Sequence, residues 1–125
     1  VKKILMIDDE RDICLLVKQN LEISGDYKVI VATNGRDGIA AASREKPDII
    51  LLDIIMPGMS GFEVLEKLKT RTDTTSIPVV MLTAVGTEEA KEKAMSLYNE
   101  EYLVKPVRTD VLMAKIGEVL SRHKT

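Results

Sequence analysis

The chain has one cysteine and one histidine, and that scarcity removes whole classes of chemistry before any motif is considered. Cys14 has no second thiol with which to close a disulfide, and no cysteine or histidine stands near it at a metal-ligand spacing. It is expected as a helix thiol, packed or half-exposed. No apolar run comes near the length that crosses a bilayer, and no basic stretch leads into an apolar one at the start, so a cytoplasmic location is expected. Charge of one sign is lacking too. The balance of 18 Lys and Arg against 20 Asp and Glu gives −2, whereas a duplex-coating protein needs a basic face to displace phosphate counterions. Neither nucleic acid nor a membrane is an expected partner.

What is present fits one packed domain over 1–125. A chain of 125 residues with 45% apolar and 30% charged side chains is long enough to bury a core without disulfides or a structural metal. Short apolar runs occur at Ile4 to Ile7, Val29 to Ala32, Ile49 to Leu52 and Val79 to Leu82, and a shorter one at Leu103 and Val104. The first four are continuous rather than alternating, which marks strands buried on both faces of a parallel sheet. Between the runs, apolar residues recur at helical spacing: Ile13, Leu16, Val17 and Leu21; Leu65 and Leu68; Ala90, Ala94 and Leu97; Leu112, Ile116, Val119 and Leu120. Asn34 to Glu45 reads as a weaker helix because Gly35 and Gly38 cost helix stability. Thr87 before Glu88 and Glu89 suits a helix start. Five β/α units follow, an α/β fold with helices on both faces of a five-stranded parallel sheet.

Such a sheet binds its ligand beyond the C-terminal ends of the strands. Asp8, Asp9 and Glu10 follow the first run, Asp53 the third, Thr83 and Ala84 the fourth, and Lys105 and Pro106 the fifth. Each has an ordinary explanation alone. Asp8 or Asp9 can cap the first helix, Asp53 can open the Met56-Pro57-Gly58 turn, Thr83 can be a loop hydroxyl, and Lys105 a solvated amine. Their coincidence at four strand ends is harder to explain that way. Crowded carboxylates need a cation or a proton at neutral pH. A few hard oxygen ligands, with room left for water and phosphate oxygen, suit Mg²⁺, which turns a phosphate-repelling site into an attracting one. Lys105 and Thr83 then supply a positive charge and a donor for phosphoryl oxygens, and a remaining carboxylate can act as nucleophile.

These residues resemble the receiver domain of two-component response regulators. Asp8-Asp9-Glu10, Asp53-Ile54-Ile55-Met56-Pro57-Gly58, Thr83-Ala84 and Tyr102-Leu103-Val104-Lys105-Pro106 follow that family's order and separations over essentially the whole chain. The resemblance implies a flavodoxin-like sheet of order 2-1-3-4-5. It implies that Asp53 is the phosphoacceptor and that Asp9, Asp53 and the Ile55 backbone carbonyl bind Mg²⁺, with Asp8 acting through water. Lys105 would pair with Asp53 and then with its phosphoryl group, before a cis Pro106. Thr83 would bond a phosphoryl oxygen while Ala84 keeps the approach open, and Tyr102 would turn inward with Thr83. That movement would change the face of the fourth helix, fifth strand and fifth helix. His123 near the end of the chain gives no internal donor, so a histidine kinase or phosphotransfer protein is the implied partner, with small acyl phosphates as substitutes. A further partner would be an output domain, another protein or a second copy on the switching face. The implied role is signalling, with no catalysis beyond the domain's own phosphorylation and slow dephosphorylation.

Two departures stand out. Tyr98-Asn99 replaces the Gly-Ala usual before the fifth strand, which predicts helix closure through Asn99, since asparagine tolerates the left-handed region better than tyrosine. Arg108 replaces a helix-capping Asp, which passes the cap to Thr109. Three other functions fit less well. A flavodoxin-like electron carrier would meet repulsion between flavin phosphate and Asp8-Asp9-Glu10. An aspartate-nucleophile, Mg²⁺-dependent phosphatase usually carries a second acid where Ile55 stands. A bare interaction module leaves the full set of acids, Thr83 and Lys105 without a purpose.

Overall fold

In the computed structural model, residues 1–83 and 101–123 are described, Thr83 in its backbone alone. Five parallel strands, β1 (Lys2–Ile7), β2 (Tyr27–Ala32), β3 (Ile49–Asp53), β4 (Val79–Thr83) and β5 (Glu101–Val104), form one sheet of order β2-β1-β3-β4-β5. Every predicted apolar run lies in a strand. Ile4–Ile7 and Ile49–Leu52 are wholly buried because β1 and β3 have neighbours on both edges and helices on both faces.

Alternation along the strands divides the core in two. Leu5, Ile7, Ile50, Leu52 and Met81 pack against α2 (Gly35–Glu45) and α3 (Gly61–Lys69). Ile4, Met6, Ile49, Leu51, Val80 and Leu82 pack against α1 (Arg11–Glu22) and the last helix (Thr109–Arg122). The helix predicted around Ala90 to Leu97, its start at Thr87 and the Tyr98-Asn99 corner lie outside the described residues.

Local chemistry explains where the helices begin. The Asn34 side chain accepts from Asp37 N at 2.8 Å and caps α2, while Ser60 Oγ caps α3 by accepting from Glu63 N at 3.3 Å and donates to the Glu63 carboxylate. Gly38 has a use that helix propensity hides: a Cβ there would lie 2.6 Å from Ile7, so the glycine lets α2 press onto β1. The cap expected from Thr109 is not made. Arg108 holds the cap position without a side-chain bond, because the Thr109 hydroxyl accepts instead from Asn20 Nδ2 on α1 at 3.4 Å.

The first helix also departs from its apolar pattern. Its buried residues are Cys14 and Leu21, whereas Ile13 and Leu16 are 41% and 54% exposed. Lys18 and Glu22 reach β2 from this helix: Lys18 Nζ donates to Val29 O at 2.6 Å, and Glu22 accepts from Val29 N at 2.8 Å. Asp8 N takes Ala32 O on the β1 side of β2, so alternation turns the Val29 amide and carbonyl toward the open edge.

Candidate functional site

The chain runs from β1 outward to β2 and then returns past β1 to β3, so the connections leaving β1 and β3 diverge to opposite faces. That divergence opens a crevice at the C-terminal ends of these two strands. Asp8 and Asp9 leave β1 there and Asp53 ends β3. Carboxylate oxygens of all three lie within 4.8 Å of one another, with Asp8 and Asp53 buried and Asp9 exposed.

Asp8 does not cap α1. Its Oδ1 accepts from Glu10 N at 3.0 Å in a local turn, and its Oδ2 accepts from Lys105 Nζ at 2.6 Å. Lys105, brought in just after β5, also lies 3.3 Å from Asp53 Oδ1 and 3.9 Å from Glu10 Oε1. The ammonium thus pairs with both acids and lies closer to Asp8 than to Asp53. The Lys105–Pro106 peptide bond is cis.

Asp53 is anchored through its neighbours. Ile54 N donates to Leu82 O of β4, and Ile54 O accepts from Gly61 N at 2.8 Å, which ties the loop after β3 to the start of α3. A Cβ on Gly61 would stand 2.2 Å from the Asp53 carbonyl oxygen, so only glycine allows this approach. Sequence reasoning missed Gly61. The signal available was Ser60-x-x-Glu63, which marks the helix start that must abut the end of β3. Cys14 is packed on α1 as a helix thiol is expected to be, but its bond to the site was not foreseen: the buried Sγ donates to Asp8 O at 3.3 Å. Burial, and then the Asp8 charge, push that thiol up to about 12, so it stays neutral.

Ile55 lies in the loop after Asp53 with its side chain 66% exposed. Tyr102 stands in β5 opposite Met81, partly buried against the α2 and α3 side of the core. Thr83 ends β4 opposite Val104, and Ala84 lies outside the described residues.

Electrostatics explains what the cluster requires. Burial, followed by the charge of Asp8, raises the Asp53 carboxyl from 3.8 to about 6, against the opposing pull of Lys105. Burial works against the Lys105 charge as well, yet the Asp8 hydrogen bond and the Asp8 and Asp53 charges outweigh it and raise its pKa. Among the described residues, one ammonium faces three carboxylates and leaves negative charge uncompensated. The donor set is all hard oxygen, which fits Mg²⁺.

A carboxyl raised in the folded state binds a proton that the unfolded chain has already released. Its contribution to stability is present below the unfolded value and is lost as pH rises through about 6. Asp53→Asn removes that loss. In urea unfolding with EDTA, the variant is expected to match the parent near pH 4 and to exceed it by about 2 kcal/mol at pH 8. An offset independent of pH would contradict this account of Asp53.

A family model described as the response regulator receiver domain matches residues 4–117. The chain belongs to this family. This receiver domain is 37% identical to the protein PilH of Pseudomonas aeruginosa over 95% of the chain and 98% of PilH. It is 39% identical to the alkaline phosphatase synthesis transcriptional regulatory protein PhoP of Bacillus subtilis, over 98% of the chain and 50% of PhoP. The chain therefore spans about half the length of PhoP, and 53% of the phosphate regulon regulator PhoB of Rhizobium meliloti. A two-component response regulator from Clostridium difficile superposes with a TM-score of 0.90 at 29% identity, covering both chains completely. The chemotaxis protein CheY4 of Vibrio cholerae gives 0.88 at 29% identity over 95% of this receiver domain and 98% of CheY4. Receiver domains are signalling modules of two-component systems. No helix among the described residues is long and apolar enough to cross a membrane.

Proposed function

We propose that this receiver domain takes a phosphoryl group onto Asp53 and uses it to reshape a partner-binding face. The observation that carries the reading is Lys105, whose Nζ lies 2.6 Å from Asp8 and 3.3 Å from Asp53 inside the acid cluster. Above pH 6 the Asp53 carboxyl of the metal-free site is mainly ionised, the form in which it can act as a nucleophile. An Asp53 oxygen attacks phosphorus as the bond to the donor breaks, and the donor leaves with that bond's electron pair. Lys105 bridges Asp8 and Asp53 beforehand and moves its charge to the phosphoryl oxygens afterwards.

Asp9, Asp53 and the Ile55 carbonyl would hold Mg²⁺, with Asp8 acting through water. The ion's chemistry there is to neutralise charge between carboxylates and phosphoryl oxygens. Thr83 bonds a phosphoryl oxygen, and Ala84 leaves it room. Tyr102 follows Thr83, so a local charge event biases a two-state face built from the fourth helix, fifth strand and last helix. The donor is a histidine kinase or phosphotransfer protein, with small acyl phosphates as substitutes. The reader is an output domain, a separate protein or a second copy. Ile55, exposed and apolar, offers no acid to a phosphomonoester leaving group, which disfavours phosphatase action.

Incubation with acetyl phosphate and Mg²⁺, followed by intact mass measurement, tests this. The parent should gain one phosphoryl group, and both the EDTA-treated protein and Asp53→Asn none. Mg²⁺-dependent labelling of Asp53→Asn at the parent level would overturn the assignment.

A further inference from the structure

A hollow of about 360 Å³ straddles the outer margin of the sheet, where the end of β2 passes between α1 and α2. Arg11 and Leu15 line it from α1, Ala40, Ala41 and Arg44 from α2, and Val31 to Thr33 lie between them. Neither the three acids of the cluster nor Lys105 belongs to its lining, so it is a separate place on the molecule.

Lys18 and Glu22 close the β2 edge at Val29. Two residues further on, alternation turns the Val31 amide and carbonyl to the same edge, and no side chain among the described residues engages them. Two guanidiniums flank this open peptide group. Arg11 makes no ion pair among the described residues, and Arg44 commits Nε to Glu45 at 3.0 Å, which leaves its terminal amino groups to face outward ligands. Asp37, the acid on the lining, is engaged by Asn34 Nδ2 at 2.9 Å. The small side chains of Ala32, Ala40 and Ala41 leave the hollow empty, and Leu15, 46% exposed, gives it an apolar wall.

We infer that this hollow binds the free C-terminal end of a partner protein. A chain end carries what the hollow lacks: a carboxylate for the guanidiniums and, beside it, a peptide N–H to donate to Val31 O. The apolar side chain of the last residue lies against Leu15 and the alanines. The hold on Val29 sets the length. From Val31 to Thr33 the strand rises about 7 Å, room for about two residues, so a chain end fits where a running strand would meet Lys18 and Glu22.

The probe is N-acetyl-alanyl-leucine with a free carboxylate, titrated into the ¹⁵N-labelled domain to tens of millimolar. The Val31 and Thr33 amide signals should shift and saturate with a Kd of about 1 mM, the strength of a charge-assisted contact with little buried area. The carboxamide of the same dipeptide keeps every group except the charge and should bind at least about tenfold more weakly. A like loss is expected for the acid form with the double variant Arg11→Gln, Arg44→Gln; both residues are exposed, and unchanged signals from the sheet core confirm its fold. Acid and carboxamide of equal affinity would overturn the inference, as would full affinity in the double variant or unmoved Val31 and Thr33 signals. Sodium acetate binding as tightly as the dipeptide would also overturn it, by reducing the hollow to a site for any small anion.

Discussion

Lys105→Met is expected to destabilise the metal-free domain by about 3 kcal/mol at pH 8, as removal of one partner from a buried ion pair does. Asp8 has no exposed surface and loses its 2.6 Å bond, while Asp53 loses the cation at 3.3 Å. Methionine fills much the same volume, so packing contributes little to the loss. The cost is bounded because Asp53, already raised to about 6, can take up a proton rather than remain charged. With their ammonium gone these acids depend more on a divalent ion, so millimolar Mg²⁺ should stabilise the variant more than the parent. Urea unfolding with EDTA and with Mg²⁺ reads both effects. Acetyl phosphate labelling should also slow by about a hundredfold, the scale on which a preorganised charge acts on a transition state. Equal Mg²⁺ stabilisation of parent and variant would show that Lys105 does not compensate the acid cluster.

The second large effect comes from a residue with no side chain. Gly61→Ala places a methyl group 2.2 Å from the Asp53 carbonyl oxygen and 2.6 Å from Ile54 Cα. Both are backbone atoms, so the clash cannot be relieved by turning a neighbouring side chain. Either α3 moves away from the end of β3, with loss of the 2.8 Å bond from Gly61 N to Ile54 O, or the end of β3 moves. The expected cost is about 3 kcal/mol, at the upper end of overpacking, together with Mg²⁺ binding weakened several-fold because Asp53 itself is displaced. Gly117→Ala is the control. A Cβ there meets nothing within 4 Å on an exposed turn of the last helix, and the change should stabilise by up to about 1 kcal/mol. Similar melting temperatures for Gly61→Ala and the parent would show that the loop and α3 can separate freely.

The contrast between these residues shows what could be read from the sequence. Ile4–Ile7 and Ile49–Leu52 are legible as central strands because burial on both faces permits no polar alternation. Asp8, Asp53 and Lys105 are legible as neighbours because strand ends of a parallel sheet share one side. The strand order came from the family resemblance and not from the residues themselves, since no local pattern encodes which strand lies beside which. Gly38 and Gly61 were opaque for the same reason: a close approach belongs to two segments, and propensity describes one. On α1, helical spacing groups Ile13 and Leu16 with Val17 and Leu21, but the surface they turn to depends on where the last helix sits. Thr109 failed as a cap because Asn20, 89 positions away, engages its hydroxyl.

The grip of Lys18 and Glu22 on Val29 bears on how such domains share a crowded solution. β2 is an outer strand, and a bare outer strand is a template on which another sheet can grow. Here the middle amide and carbonyl of that template are already spoken for by a side-chain pair from α1. An incoming strand would have to displace two charged groups before gaining its first central bond. The margin of the sheet is thus sealed by its own helix, and neighbouring molecules meet along β2 a surface that offers them little to copy.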